Sequence, residues 1–234
     1  MISNRFESLA QAFRVFTEQT YRFRPLFQID APEAVGNLDH AVEGILNAFH
    51  GLYDAVNQNP DCAFDFYSDP LCAFVLSVRN ARHHNHANGI RSIYRCARAE
   101  PETVDYILVD FPSLDQDGGG TFAEYFLSWS DILEYLNDRR ARYPVQTAGA
   151  IAAMGGNEFE PWCLDQGYPL QRIFFNMIPI FVGAGIACTG TIAEHVQPDS
   201  VEAEAFLDLF QTDVNADFGA PSYTELTSGV FWPR

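Results

Sequence analysis

The chain has 234 residues, 47% of them hydrophobic, with 20 Phe, 10 Tyr and 3 Trp, enough apolar surface for a substantial core. That composition excludes disordered and fibrous classes. The formal charge is -17, from 31 acidic residues against 14 basic ones, every one of them Arg. A general nucleic-acid coat or a polybasic membrane binder needs the opposite sign.

Arg5, Glu7 and Arg14 interrupt the N-terminal stretch, so it holds no apolar signal core. The five cysteines (62, 72, 96, 163 and 188) are odd in number, widely spaced and without a CxxC pair, which reads as buried thiols in a cytoplasmic protein. Residues 3–24 place Phe6, Leu9, Phe13 and Phe16 at helical spacing. A proline-marked break spans Arg24-Pro25 to Pro32. Residues 33–57 then carry Val35, Leu38, Val42, Ile45, Phe49, Leu52 and Val56 in steps of three or four, the mark of a strongly amphipathic helix. Its polar face is acidic, with Glu33, Asp39, Glu43 and Asp54. Asn57 to Cys62 reads as a turn.

Asp69-Pro70 is a helix start, Asp as cap and Pro at the first helical position; the helix is predicted to run from Leu71 through Ile90 and Ile93. Residues 104–111 (VDYILVDF) form the best strand pattern in the chain. A loop over 112–120 precedes Thr121 and Glu124, a capping-box pair predicted to open a helix from Phe122 to about Arg142. The Gly-, Pro- and Ala-rich stretch 144–170 predicts no element. Ile173–Ala193 is free of charge and about long enough to cross a bilayer. It also holds Asn176, Pro179, three Gly and two Thr, so it reads as a buried core helix broken at Pro179; a membrane-active effector using 173–193 is the weakest of three functional readings. Asp199 or Ser200 caps a last short helix, and the tail after Thr212 reads as irregular. The predicted fold class is mainly α: a helical N-terminal unit over residues 1–100 and a mixed, mostly helical region over 101–234 with a short strand. Packing as one domain or two is left open.

One feature runs against the acidic total. Between Asp69 and Glu100 there is no acidic residue, yet the window holds Arg79, Arg82, Arg91, Arg95 and Arg98, with His83, His84 and His86. On a continuous helix Arg79, Arg82, His83 and His86 share a face. Arginine presents a planar fork of donors to phosphate oxygens, and histidine exchanges a proton near neutral pH. The plainer reading is salt bridging, with the acidic 33–57 helix as partner; it leaves the three histidines without a reason.

The string VLSVRNARHHNHA resembles the signature of HEPN domains, in which an apolar helical run is followed by Arg, a polar residue and, after four to six positions, His. Arg79-Asn80 meet that spacing with His84 and with His86. The resemblance covers residues 1 to about 100, and the two preceding helices resemble the family's up-down bundle. The chain departs from the His-x-Tyr continuation of many toxin members: Ala87 and Asn88 follow His86. The resemblance implies a metal-independent endoribonuclease, a toxin or antiviral defence effector, working as a homodimer on RNA, with no cofactor. Arg79 would bind the scissile phosphate. His84 or His86 would move the proton, and Asn80 would orient one of these groups. Arg82, His83, Arg91 and Arg95 would line the substrate path. A regulatory or antitoxin protein is the further implied partner, and no membrane is. The alternative is a catalytically silent helical module that binds a nucleotide or a protein.

Other patterns are weaker. His83, His84 and His86 supply at best two converging metal ligands. Asp115-x-Asp117 starts like a calcium loop but has Phe126 at the twelfth position. The Gly118–Gly120 run lacks the Lys of a phosphate loop. Gly183 and Gly185 read as close helix packing.

Overall fold

The computed structural model describes residues 1–83, 90–99, 104–110, 124–140, 148–149, 151–152, 155–213 and 221–227. The described elements include eight α-helices and a four-stranded sheet, so the fold is mainly helical. They fall into two compact units: Met1–Arg79 with Val182–Ala216, and Asn80–Phe181 with Asp217–Arg234.

The first unit is helical. Helices α1 (Ile2–Phe27) and α2 (Ala31–Asn57) form a hairpin. Pro25 lies inside α1 rather than breaking it, because a proline two residues from the end removes only one hydrogen bond of the last turn. The break therefore shrinks to residues 28–30. Asp30 caps α2, its Oδ1 accepting from Glu33 N at 3.0 Å, with Pro32 in the first turn. Asp39, expected on the acidic outer face, is instead buried. Phe13 is the centre of this core. Its ring meets Phe49 at 6.2 Å, Phe206 at 5.3 Å and Phe210 at 5.8 Å.

Helix α3 (Pro70–His83) starts as read, with Asp69 Oδ1 accepting from Cys72 N at 2.9 Å. It does not run on through Ile90 and Ile93. Ile90 lies at a bend, Ser92 pairs with Leu127, and a separate helix α4 (Ile93–Ala99) follows. Pairing to a strand and helical hydrogen bonding compete for the same backbone groups.

The second unit contains the sheet, with strand β1 (Asp105–Asp110) as the sequence predicts. The expected helix from Phe122 is corrected in part. Phe126–Ser128 is strand β2, buried throughout, and helix α5 (Trp129–Arg140) starts only after it. The Ser128 hydroxyl accepts from Asp131 N at 3.4 Å, a cap in place of the Thr121–Glu124 box. Thr121 and the 112–120 loop lie outside the described residues. The unassigned region holds helix α6 (Gly156–Asp165).

The apolar run 173–193 is two elements. Ile173–Asn176 is strand β3, and helix α7 (Ile178–Ile192) begins immediately after it, with Pro179 in its first turn, where a missing N–H costs nothing. Half of the Ile178–His195 window, the one span among the described residues long and apolar enough to cross a membrane, is buried inside the protein. Ser200 caps helix α8 (Val201–Asp208), its Oγ accepting from Ala203 N at 3.1 Å. The tail expected to be irregular contains strand β4 (Ser222–Thr227), which completes the order β2–β3–β1–β4. β1 and β3 run parallel, with Val109 beside Phe175; the outer strands are antiparallel to their neighbours.

Candidate functional site

The Arg/His segment is distributed over several elements. Arg79 is half-buried near the end of α3, and its Nε donates to the Asn47 amide oxygen on α2 at 3.4 Å. That acceptor is a neutral amide. The next residue, Asn80, is buried. One turn on, Arg82 donates from Nη1 to the Tyr125 hydroxyl at 3.4 Å. His83 ends α3, but its side chain is outside the described set, as are His84 and His86. The shared helical face with His86 therefore lies outside the described residues.

Arg91 takes up a clear structural role. It forks onto Asp131 of α5, with Nε and Nη2 each 2.8 Å from a carboxylate oxygen, and its backbone N adds a 3.0 Å bond. The ion pair is partly solvated, with the Arg91 side chain 44% exposed. The expectation of carboxylate pairing thus holds for Arg91, with α5 rather than the 33–57 helix as the acid donor. Arg95 is exposed on α4.

A second polar cluster escaped the sequence reading. At the C-terminal ends of the parallel strands β1 and β3, Asn176 is fully buried, and both its amide oxygen and its amide nitrogen are hydrogen-bonded. Its Oδ1 accepts from Tyr125 N and Ile178 N, both at 3.1 Å, and its Nδ2 donates to Asp110 Oδ1 at 3.1 Å. Asp110, the last residue of β1, is thereby tied to β3. Glu124 lies close by, and the Tyr94 hydroxyl donates to its backbone oxygen at 3.3 Å. Partial burial, and then the charge of Asp110, push the Glu124 carboxyl above its ordinary range. A carboxyl pushed upward beside a second carboxylate is an arrangement suited to acid–base work, at the strand ends where open sheets expose their loops. The available sequence signal was an Asp closing a strand ahead of a Gly-rich loop. Asn176 gave none, since it sits in a charge-free run.

The described residues contain no group of three or more His, Cys, Asp or Glu able to hold a metal ion. All five cysteines are buried thiols outside any disulfide, as read. Burial pushes the Cys163 thiol up to about 11 and Cys188 to about 12, and holds Cys72 well above its ordinary value, so these three stay protonated and unreactive at neutral pH. The chain matches no family model, no curated protein and no solved structure.

Proposed function

We propose that the chain is a metal-independent endoribonuclease of the HEPN kind, a cytoplasmic toxin or defence effector acting as a homodimer. The observation that carries this reading is the Arg79-Asn80 pair followed at four and six intervening positions by His84 and His86, within a window free of acid in a chain of charge -17. Arg79 neutralises the scissile phosphate. One histidine takes the proton of the ribose 2′-hydroxyl as its oxygen attacks phosphorus, and a protonated histidine gives a proton to the departing 5′-oxygen. Asn80 orients one of these groups by a hydrogen bond, and Arg82, His83 and Arg95 line the path of the strand. The acidic total repels RNA at long range, so this reading includes a narrow target or a partner protein that delivers it. In the test, protein purified with chelator cuts RNA, and His84→Ala with His86→Ala abolishes cutting while the circular-dichroism spectrum is unchanged. Undiminished cutting by the double variant ends the nuclease reading.

The Arg91–Asp131 fork favours a second reading, a module that binds a nucleotide or a protein without cutting, because it fills a guanidinium that a substrate path would leave accessible. Asp131→Ala separates the roles. If Arg91 belongs to an RNA surface, releasing it raises RNA affinity severalfold, and adding Arg91→Ala reverses the gain. Unchanged affinity removes Arg91 from the path.

A further inference from the structure

The α1–α2 hairpin carries two unusual surfaces on one short stretch. The first is the end of α1. Every fully buried residue of this helix lies at or before Phe16, although the helix continues to Phe27. Beyond that point Tyr21 is 68% exposed, and Ile29 just past the helix is 84% exposed. Phe23 and Phe27 lie half-buried beside each other, ring centroids 5.5 Å apart. Exposed Arg22 and Arg24 alternate with these aromatic residues, and no acidic residue occurs between Glu18 and Asp30. Neither arginine has a hydrogen-bond or ion-pair partner among the described residues.

The second surface is the outer side of α2. Gly36 and Gly44 sit two turns apart in mid-helix, with nothing within 4 Å of the Cβ that either lacks. Each costs about 1 kcal/mol of helix stability relative to Ala, and nothing among the described residues uses the space. Flanking them are the exposed carboxylates Glu33 and Glu43 and the exposed His40. Glycine lowers this face so that another helix can approach closely, and the acids make it negative.

The two surfaces are complementary: one is aromatic and positive, the other lined by glycine and negative. We propose that this face is the site of self-association, in which the α1 end of one copy seats on the Gly36–Gly44 face of a second. Arg22 and Arg24 then lie against Glu33 and Glu43, and the reciprocal contact closes a two-fold dimer. A second copy is the occupant because a single chain bears both halves of the match. Two arginines are too few to hold an RNA strand or an anionic membrane at this surface. The inference rests on the nuclease reading only for the homodimer; it names an interface made of other residues than the motif at 79–86.

Sedimentation equilibrium across a concentration series tests it on the full chain. The wild-type chain is expected to dimerise. Gly36→Leu with Gly44→Leu keeps helix propensity high, so the monomer's thermal stability does not fall, while self-association weakens by at least about tenfold. Arg22→Glu with Arg24→Glu weakens it likewise, and adding Glu33→Arg with Glu43→Arg restores it. Arg79→Ala leaves it unchanged while removing any nuclease activity. A chain that is monomeric at every concentration, or a dimer indifferent to the glycine and charge variants, overturns the proposal. So does a monomer that sediments with phosphatidylserine vesicles, or retains RNA, through Arg22 and Arg24.

Discussion

The α1–α2 hairpin and the β-sheet of the second unit bury similar side chains by opposite means. In the hairpin, neighbours along the chain are neighbours in space: a three-residue link joins two long helices, and each apolar stripe repeats every three or four residues. In the sheet, β3 (173–176) lies between β1 (105–110) and β2 (126–128), while β4 (222–227) closes the other side of β1. Local periodicity organises the first, and contacts between distant segments organise the second. The consequence is that single residues of the sheet should matter more than single residues on the hairpin's outer faces.

The largest expected effect tests that difference at Phe175. This fully buried residue of β3 meets the Trp129 ring at 5.6 Å. Phe175→Ala is expected to lower unfolding free energy by about 3–5 kcal/mol, measured in urea with Trp fluorescence as the probe. Asn176→Leu follows. It keeps the number and branching of the side-chain heavy atoms but takes away the acceptor of the Tyr125 and Ile178 amides and the donor to Asp110 Oδ1. Two buried donors without acceptors cost about 2–4 kcal/mol. A loss below about 1 kcal/mol would mean that water replaces the amide, and the cluster at the strand ends would then be an open site rather than a structural tie.

The same contrast governs what could be read in advance. The stripes of α1 and α2, the Asp69 and Ser200 caps and the strand 105–110 were legible because each is written within one or two turns of chain. β2 and β3 were not. Phe126–Ser128 and Ile173–Asn176 are buried on both faces, so they lack the alternation that marks a half-buried strand and look like helical core. β4 was missed for the opposite reason: it is largely exposed and polar, and only its pairing with β1 makes it a strand. At the candidate site, Arg79, Asn80 and Arg82 were visible as charge and motif. The role of Arg91 was not, since its partner Asp131 lies on another element.

Gly185 sharpens the comparison within the helices. A Cβ there would sit 2.6 Å from the Phe210 ring, inside any real contact distance. Gly185→Ala is expected to destabilise by about 1–3 kcal/mol in urea, despite alanine's better helix propensity. Phe210→Leu in the same background should recover part of the loss by making room. Gly36→Ala, in open space, should instead stabilise the isolated monomer. Equal effects at the two glycines would show that propensity, not packing, controls this core.

The smallest expected effect lies at the start of α8. The Ser200 hydroxyl accepts from Ala203 N and donates to Glu7 Oε2 at 2.6 Å, while Glu7 Oε1 also accepts from Asp199 N and Ser200 N. Partial burial alone would raise the Glu7 carboxyl. The hydrogen bonds from Ser200 and Asp199 outweigh it and hold the group below its ordinary range. A carboxyl with a lowered folded-state pKa contributes stability that is present above its unfolded pKa and lost as pH falls through the lowered one. Ser200→Ala should therefore cost about 1 kcal/mol at neutral pH, through the lost cap and the lost bond to Glu7. As pH falls through the lowered pKa of Glu7 and the carboxyl is protonated in both proteins, the part of the difference due to Glu7 should fade, and the part due to the cap should remain. Thermal melts from neutral to acid pH measure both parts. A difference that stays constant with pH would assign the whole effect to the cap and none to the carboxylate that reaches across from α1.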